Sequence, residues 1–268
     1  MALKNVWAIP FLAFFFSVAA FVVSYSFAVY YKHVDAFFPY ISDTGSFDPE
    51  SCVFSQFLNL AALCMAISIY LRHRQIIEFY HHACGQKGAY IKISKIFLII
   101  GWISSLGISI VANFQQMKSP SLYIHYTGAF LAFTFGLIYA WGQTMFSYNL
   151  TPRLHSLLLY HLRLLLTLSA TAAYCTGLIF FQFGRAPKLN NGGMLYHWTG
   201  KEENYTEHLI SIFSEWTIAL CFQVYLLSFA AELQYTYVHA PKLKLRRPKT
   251  DEIIPVNIGV HSISVDRF

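Results

Sequence analysis

Six blocks of apolar residues, each about as long as a bilayer is thick, constrain this chain more than any other feature of its sequence. Crossing the hydrocarbon takes about 20 helical residues, and a helix pairs its own backbone polar groups, as lipid requires. The chain is therefore predicted to be an all-α, polytopic membrane protein, a six-transmembrane-helix bundle. The predicted spans cover residues 9–31, 52–71, 93–113, 122–148, 162–183 and 208–231.

Composition supports this class. The chain is 56% hydrophobic and 12% charged, whereas an average soluble domain is about 25% charged. We predict one six-helix membrane domain over residues 1–234, followed by a basic tail over residues 235–268 that we expect to be flexible. The first block is too long for a signal peptide and is not followed by a cleavage pattern and a soluble domain, so it is taken as an uncleaved span.

The positions of the basic residues predict the orientation in the membrane. Of the 19 lysines and arginines, 14 fall on the side of the N-terminus, the second and fourth loops and the tail, and five fall on the other side. By the positive-inside rule, both termini should be cytosolic. This distribution also accounts for the net charge of +6, so nucleic acid is not expected as a partner.

Two basic patches lie on the predicted cytosolic side, "RHRQ" after the second span and "KLKLRRPK" after the sixth. They serve as orientation signals in the simplest interpretation, and contact with anionic lipid headgroups is the alternative. The candidate lipid contacts are Arg72, Arg74, Lys242, Lys244, Arg246 and Arg247.

Signatures of enzyme chemistry are missing from the sequence. It has no Walker loop, GxGxxG, HExxH or GxSxG motif, and "DTG" at Asp43 lacks the second aspartate that an aspartic protease needs, so it is interpreted as a turn. "HHAC" at His81 offers three potential zinc ligands where a structural site needs four. We expect no catalytic residue, cofactor or metal.

Cysteines and sequons add two expectations that follow from the topology. Only Cys52 of the five cysteines lies at the outer boundary, so a disulfide between outer loops is not expected. The sequon at Asn149 falls on the cytosolic side and should be silent, whereas Asn204 faces outward and is a possible N-glycosylation site, close to the start of the sixth span.

Polar residues inside the predicted spans are the candidate site. Glu215 lies eight positions after Glu207, about 12 Å into the membrane at about 1.5 Å per residue, and His208 lies on the same helical stripe. An ionisable residue in a span faces protein or a water cavity and has a partner. We expect polar groups of four helices to meet in the outer half of the bundle: Asn59, Asn113, His125, His208 and Glu215.

This predicted cluster has two interpretations. It could hold the helices together, because interhelical polar bonds contribute about 0.6 to 2 kcal/mol each. It could also respond to the acidity of a lumen, because histidine titrates between about pH 5 and 8. In either case Glu215 would be protonated, or ionised beside His208 or His125.

The same region carries a family resemblance. "PYISDTG" from Pro39, "PES" from Pro49 and "IVANFQ" from Ile110 are similar to motifs of the DNA-damage-regulated autophagy modulator family. The most specific match is a spacing of tryptophan, tyrosine, histidine and a glutamate–tryptophan pair near the last span. Here those residues are Trp198, Tyr205, His208, Glu215 and Trp216.

Two features depart from the family pattern. "WTG" stands at residues 198–200 where the family has "WNP", and residues 184–196 form a longer connection than usual. The resemblance covers the chain up to about Gln234.

The resemblance implies a six-span, non-enzymatic regulator that promotes autophagy, with links to apoptosis, and that acts through lipids or unidentified proteins of the autophagy machinery. It implies a lysosomal or other endomembrane location, with the plasma membrane as the alternative. Two other function classes remain open. One is a lipid-handling or transport protein with a cavity around Glu215, and the other is an intramembrane hydrolase that uses His125, His208 and Glu215.

Overall fold

In a computed structural model, the described part of the chain contains six helices that are long and apolar enough to cross a membrane. The structure describes residues 2–3, 5–84, 89–116, 120–149, 155–184, 196–198 and 200–239, with side chains for all of these except 2, 3, 80–84 and 239. The helices are α1 (Ala8–Tyr30), α2 (Glu50–Cys84), α3 (Ala89–Asn113), α4 (Ser121–Phe130) with α5 (Gly136–Asn149), α6 (Leu157–Phe183) and α7 (Tyr205–Leu233).

These helices confirm the predicted all-helical, six-span fold, because each is long and apolar enough to cross a bilayer. Several extend beyond the predicted apolar blocks: α2 continues to Cys84 and α6 begins at Leu157. The fourth span is not uniform, because a π-helical turn over Leu131–Phe135 separates α4 from α5. The predicted turn at "DTG" is a buried 3-10 helix, Asp43–Gly45.

Packing is closest where small residues face another helix. A side chain at Gly107 on α3 would lie 2.7 Å from the carbonyl oxygen of Gly128 on α4, so these two helices cross with their backbones in contact. α7 packs along α6 and also contacts α1 and α2. Without a hydrophobic driving force in lipid, such close backbone approach is a main source of helix association.

The described residues before α1 and after α7 lie at the same end of the bundle. Strand β1 (Ala2–Leu3) pairs antiparallel with strand β2 (Val238–His239), and we call this side the terminal end. The opposite side, the distal end, holds the loop between α1 and α2 and the loop before α7. The predicted lipid contacts Lys242, Lys244, Arg246 and Arg247 lie outside the described residues.

Candidate functional site at the distal end of the bundle

Glu215 on α7 faces the interior of the protein, where the first loop folds into the bundle. Its carboxylate accepts a hydrogen bond from the backbone N–H of Ile41 at 2.8 Å and one from the Ser42 hydroxyl at 3.5 Å. The neighbouring Trp216 donates its indole N–H to the carbonyl oxygen of Pro39 at 2.9 Å. The glutamate–tryptophan pair therefore fixes the backbone of the first loop against α7.

His125 on α4 joins this network from the other side. Its Nδ1 lies 2.6 Å from the carbonyl oxygen of Phe114, and since a carbonyl only accepts, Nδ1 carries a proton. Its Nε2 lies 3.0 Å from the Gln116 amide nitrogen, and that nitrogen also donates to the Ser42 hydroxyl. A chain of hydrogen bonds from His125 through Gln116 and Ser42 thus reaches Glu215.

A cavity of about 330 Å³ adjoins this network, between α4, α6 and α7. Its walls are mostly aromatic and aliphatic, and all four members of the hydrogen-bonded chain, Ser42, Gln116, His125 and Glu215, line it. A second cavity of about 120 Å³ extends toward α5. The residues that line both cavities are Ser42, His125, Ala129, Phe133 and Glu215.

His208 lies on α7, seven residues before Glu215 and closer to the distal loops. Its ring stacks on Trp198 with a centroid separation of 3.6 Å and meets Tyr40 edge-on at 5.3 Å. Asp35 in the first loop accepts the backbone N–H of Trp198 at 2.8 Å. The family residues Trp198 and His208 therefore join the last loop to the first.

The two predicted asparagines form a group of their own. The Asn59 and Asn113 amides bond to each other at 3.0 and 3.1 Å, which ties α2 to α3, and Ser109 donates to Asn59. Neither asparagine lines the cavities beside Glu215. The structure thus brings His125 and Glu215 to one site and places Asn59 with Asn113 at another.

A buried ionic cluster at the terminal end was missed in the sequence. Arg72 on α2 and Arg163 on α6 both contact Glu232 on α7, with nitrogen–oxygen distances of 2.5 and 3.0 Å. Both arginine side chains are 0% exposed, and both guanidinium groups lie over the Phe229 ring. Arg163 also donates to Ser228 at 2.8 Å.

This cluster corrects one expectation. The prediction that Arg72 contacts lipid headgroups is wrong, because its side chain, like that of Arg163, is buried against Glu232. A guanidinium group can be buried when an acid pairs with it, and Glu232 supplies that acid. The available signal was Glu232 itself, an acid beside the end of the last apolar block. Arg74 is exposed, and its contact with lipid stays a prediction.

The remaining candidate sites are a metal site, the cysteines and the N-glycosylation sequon at Asn204. Among the residues that the structure describes, no three His, Cys, Asp or Glu side chains are grouped so that they could hold a metal ion. The thiols of the four described cysteines are free, and Cys84 lies outside the described side chains. Asn204 is the N-cap residue of α7 and is partly exposed, and its glycosylation stays a prediction.

Comparison with known proteins identifies relatives over most of the chain. Residues 5–236 match the model of the Frag1/DRAM/Sfk1/Cwh43P N-terminal domain family. DNA damage-regulated autophagy modulator protein 2 of Bos taurus is 34% identical over 81% of this chain and 79% of its own length. DNA damage-regulated autophagy modulator protein 1 of Homo sapiens is 33% identical over 87% of this chain and 92% of its own.

A third relative has a related name. Modulator of macroautophagy TMEM150B-B of Xenopus laevis is 35% identical over 54% of this chain and 58% of its own. No solved structure matches the chain.

Proposed function

The chain belongs to the Frag1/DRAM/Sfk1/Cwh43P family, and on this premise we propose that it is an integral membrane regulator that promotes autophagy, with links to apoptosis. It acts at lysosomal or related endomembranes, through partner proteins or lipids rather than through catalysis. The observation that carries this proposal is the similarity, over more than four fifths of the chain, to relatives named as autophagy modulators.

The proposed orientation places the terminal end in the cytosol and the distal end in the lumen. The distribution of lysine and arginine supports this assignment through the positive-inside rule. His125, His208 and Glu215 then lie in the lumenal half of the bundle, on the side of the acidic lumen.

Lipid handling is a second candidate function, because one specific observation favours it. The cavity of about 330 Å³ beside Glu215 falls within the range of about 300–1,000 Å³ that is typical of ligand sites. A bundle without internal space would favour a purely structural regulator. In this second function the protein binds a membrane lipid between α4, α6 and α7.

The test of the proposed regulator is loss and restoration of autophagic flux. Flux is measured as turnover of an autophagosome marker with and without an inhibitor of lysosomal degradation, in cells that lack the protein and in cells in which it is restored. We expect lower flux without the protein, recovery on restoration, and overlap of the tagged protein with lysosomal markers. Unchanged flux in the deficient cells would contradict the proposed function.

A further inference from the structure

We propose that the larger cavity binds a single-chain amphiphile whose headgroup donates hydrogen bonds, with a protonated primary amine preferred over a hydroxyl, and that Glu215 receives this headgroup. The inference deepens the second proposed function, lipid handling, and rests on it. It specifies the chemistry of the ligand and the residue that selects it.

The walls of the cavity suit an alkyl chain that enters from the bilayer. They are formed by α4 on one side and by α6 and α7 on the other, and Tyr126 of α4 meets Phe181 of α6 edge-on at a centroid separation of 5.6 Å. Phe130 and Leu178 line the cavity and are also 55% and 51% exposed on the outer surface of the bundle. The cavity therefore opens sideways, between two helices, toward the lipid.

The polar end of the cavity suits a headgroup that donates. Glu215 is a carboxylate, which only accepts when ionised, and the Ile41 N–H and Ser42 hydroxyl orient it toward the cavity. Among the described residues that line the larger cavity there is no lysine or arginine. A phosphate or carboxylate headgroup would place a second negative charge beside Glu215, whereas an ammonium group would form a charge-assisted hydrogen bond with it.

The smaller cavity provides an independent indication that this space takes polar groups. Tyr139 lines it and is only 5% exposed, and its hydroxyl has no hydrogen-bond partner among the described residues. Gln223 lines the same cavity, and its amide oxygen also has no hydrogen-bond partner among the described residues. A buried polar atom without a partner is destabilising, so a polar guest in this adjoining space is favoured over hydrocarbon.

The size of the site favours one chain over two. The larger cavity, about 330 Å³, is near the lower end of the range for ligand sites, about 300–1,000 Å³. The cavity does not enclose both chains of a phospholipid, and the phosphate group would add negative charge beside Glu215.

A set of three probes with the same chain and different headgroups tests the inference. Purified protein is labelled with a photoreactive long-chain amine, and oleylamine, oleyl alcohol and oleate compete for the label. We expect oleylamine to compete best and oleate worst. Glu215→Gln should raise the oleylamine concentration needed for half-maximal competition by about 10- to 100-fold, since a hydrogen bond to a charged group contributes about 1.5–3 kcal/mol.

Two further variants distinguish selection of the headgroup by Glu215 from the loss of an unrelated carboxylate and from blocking of the cavity. Glu203→Gln removes an exposed carboxylate near the start of α7 and should leave competition unchanged. Ala129→Phe places a ring beside residues that line both cavities. It should weaken both the photolabelling and the binding of all three competitors to a similar extent. Thermal unfolding of each variant shows that it is folded.

The outcomes distinguish this inference from the proposed lipid function. If the three probes compete equally, or Glu215→Gln changes nothing, the headgroup assignment is overturned while a lipid cavity survives. If the label attaches equally to wild type and Ala129→Phe, the cavity holds no amphiphile and the lipid-handling function fails with it.

Discussion

Single residues decide how this bundle tolerates charge in the membrane. Arg72, Arg163 and Glu232 lie fully inside the protein, on three different helices. Removing one member of a buried ionic group leaves another charge without compensation, which costs more than the group contributes when it is complete. The cluster should therefore be sensitive to single substitutions and much less sensitive to joint ones.

Glu232→Met should lower the free energy of unfolding by about 3–5 kcal/mol, because two buried guanidinium groups lose their counter-ion. Unfolding of purified protein in mild detergent measures the change. Two arginines on α2, two positions apart, provide a matched control. Arg72→Met should also lower the free energy of unfolding strongly. Arg74 is exposed on the same helix, so Arg74→Met should change the free energy of unfolding little. Equal effects of the two arginine substitutions would contradict the burial of Arg72.

The sequence predicted the location of Glu215 but not its partners. A carboxylate deep in an apolar block has to face protein, and the structure confirms this. The donors, however, are the backbone of Ile41 and the hydroxyl of Ser42, in a loop whose fold into the bundle leaves no periodic pattern. Arg72 was misplaced for a related reason: charge at the end of a span is compatible with either the surface or the interior.

At the scale of elements, the contact between α3 and α4 is the closest packing around the candidate site. Gly107 and Gly128 let the two backbones touch, and His125 lies one turn before Gly128 on α4. The position of His125 relative to Glu215 therefore depends on how closely these helices approach.

Gly107→Ala should destabilise the protein by about 1–3 kcal/mol, because the added methyl group meets the backbone of α4 and cannot be accommodated by moving a side chain. Gly177→Ala is the control, since its methyl group would lie 3.2 Å from the Ser214 side chain, which can adjust. Thermal unfolding of both variants in the same detergent provides the comparison. A larger effect at Gly177 would contradict the described helix crossing.

The π-helical turn in the fourth span marks the limit of prediction at this scale. Leu131–Phe135 is as apolar as its neighbours, so nothing in the composition separates it from ordinary helix. Such turns occur frequently at functional sites, and this one carries Phe133 on the walls of both cavities. The existence of the span could be predicted from length and hydropathy, but its irregular geometry could not.

At the scale of the whole molecule, the antiparallel pairing of β1 with β2 brings together the described residues before α1 and after α7, and an even number of spans places them on one side of the membrane. With the proposed orientation, tags at both termini should bind antibody after selective permeabilisation of the plasma membrane. Cys52, which is exposed at the distal end, should then resist a membrane-impermeant maleimide. Protected tags together with a labelled Cys52 would reverse the orientation.

We expect the distal network around Glu215 to be needed for the proposed regulation of autophagy. The most direct measurement is autophagic flux in deficient cells restored with wild type, Glu215→Gln or the control Glu203→Gln, at equal protein abundance and location. We expect Glu203→Gln to restore flux fully and Glu215→Gln not to restore it. Full restoration by Glu215→Gln would contradict this expectation and would leave the network with a structural role alone.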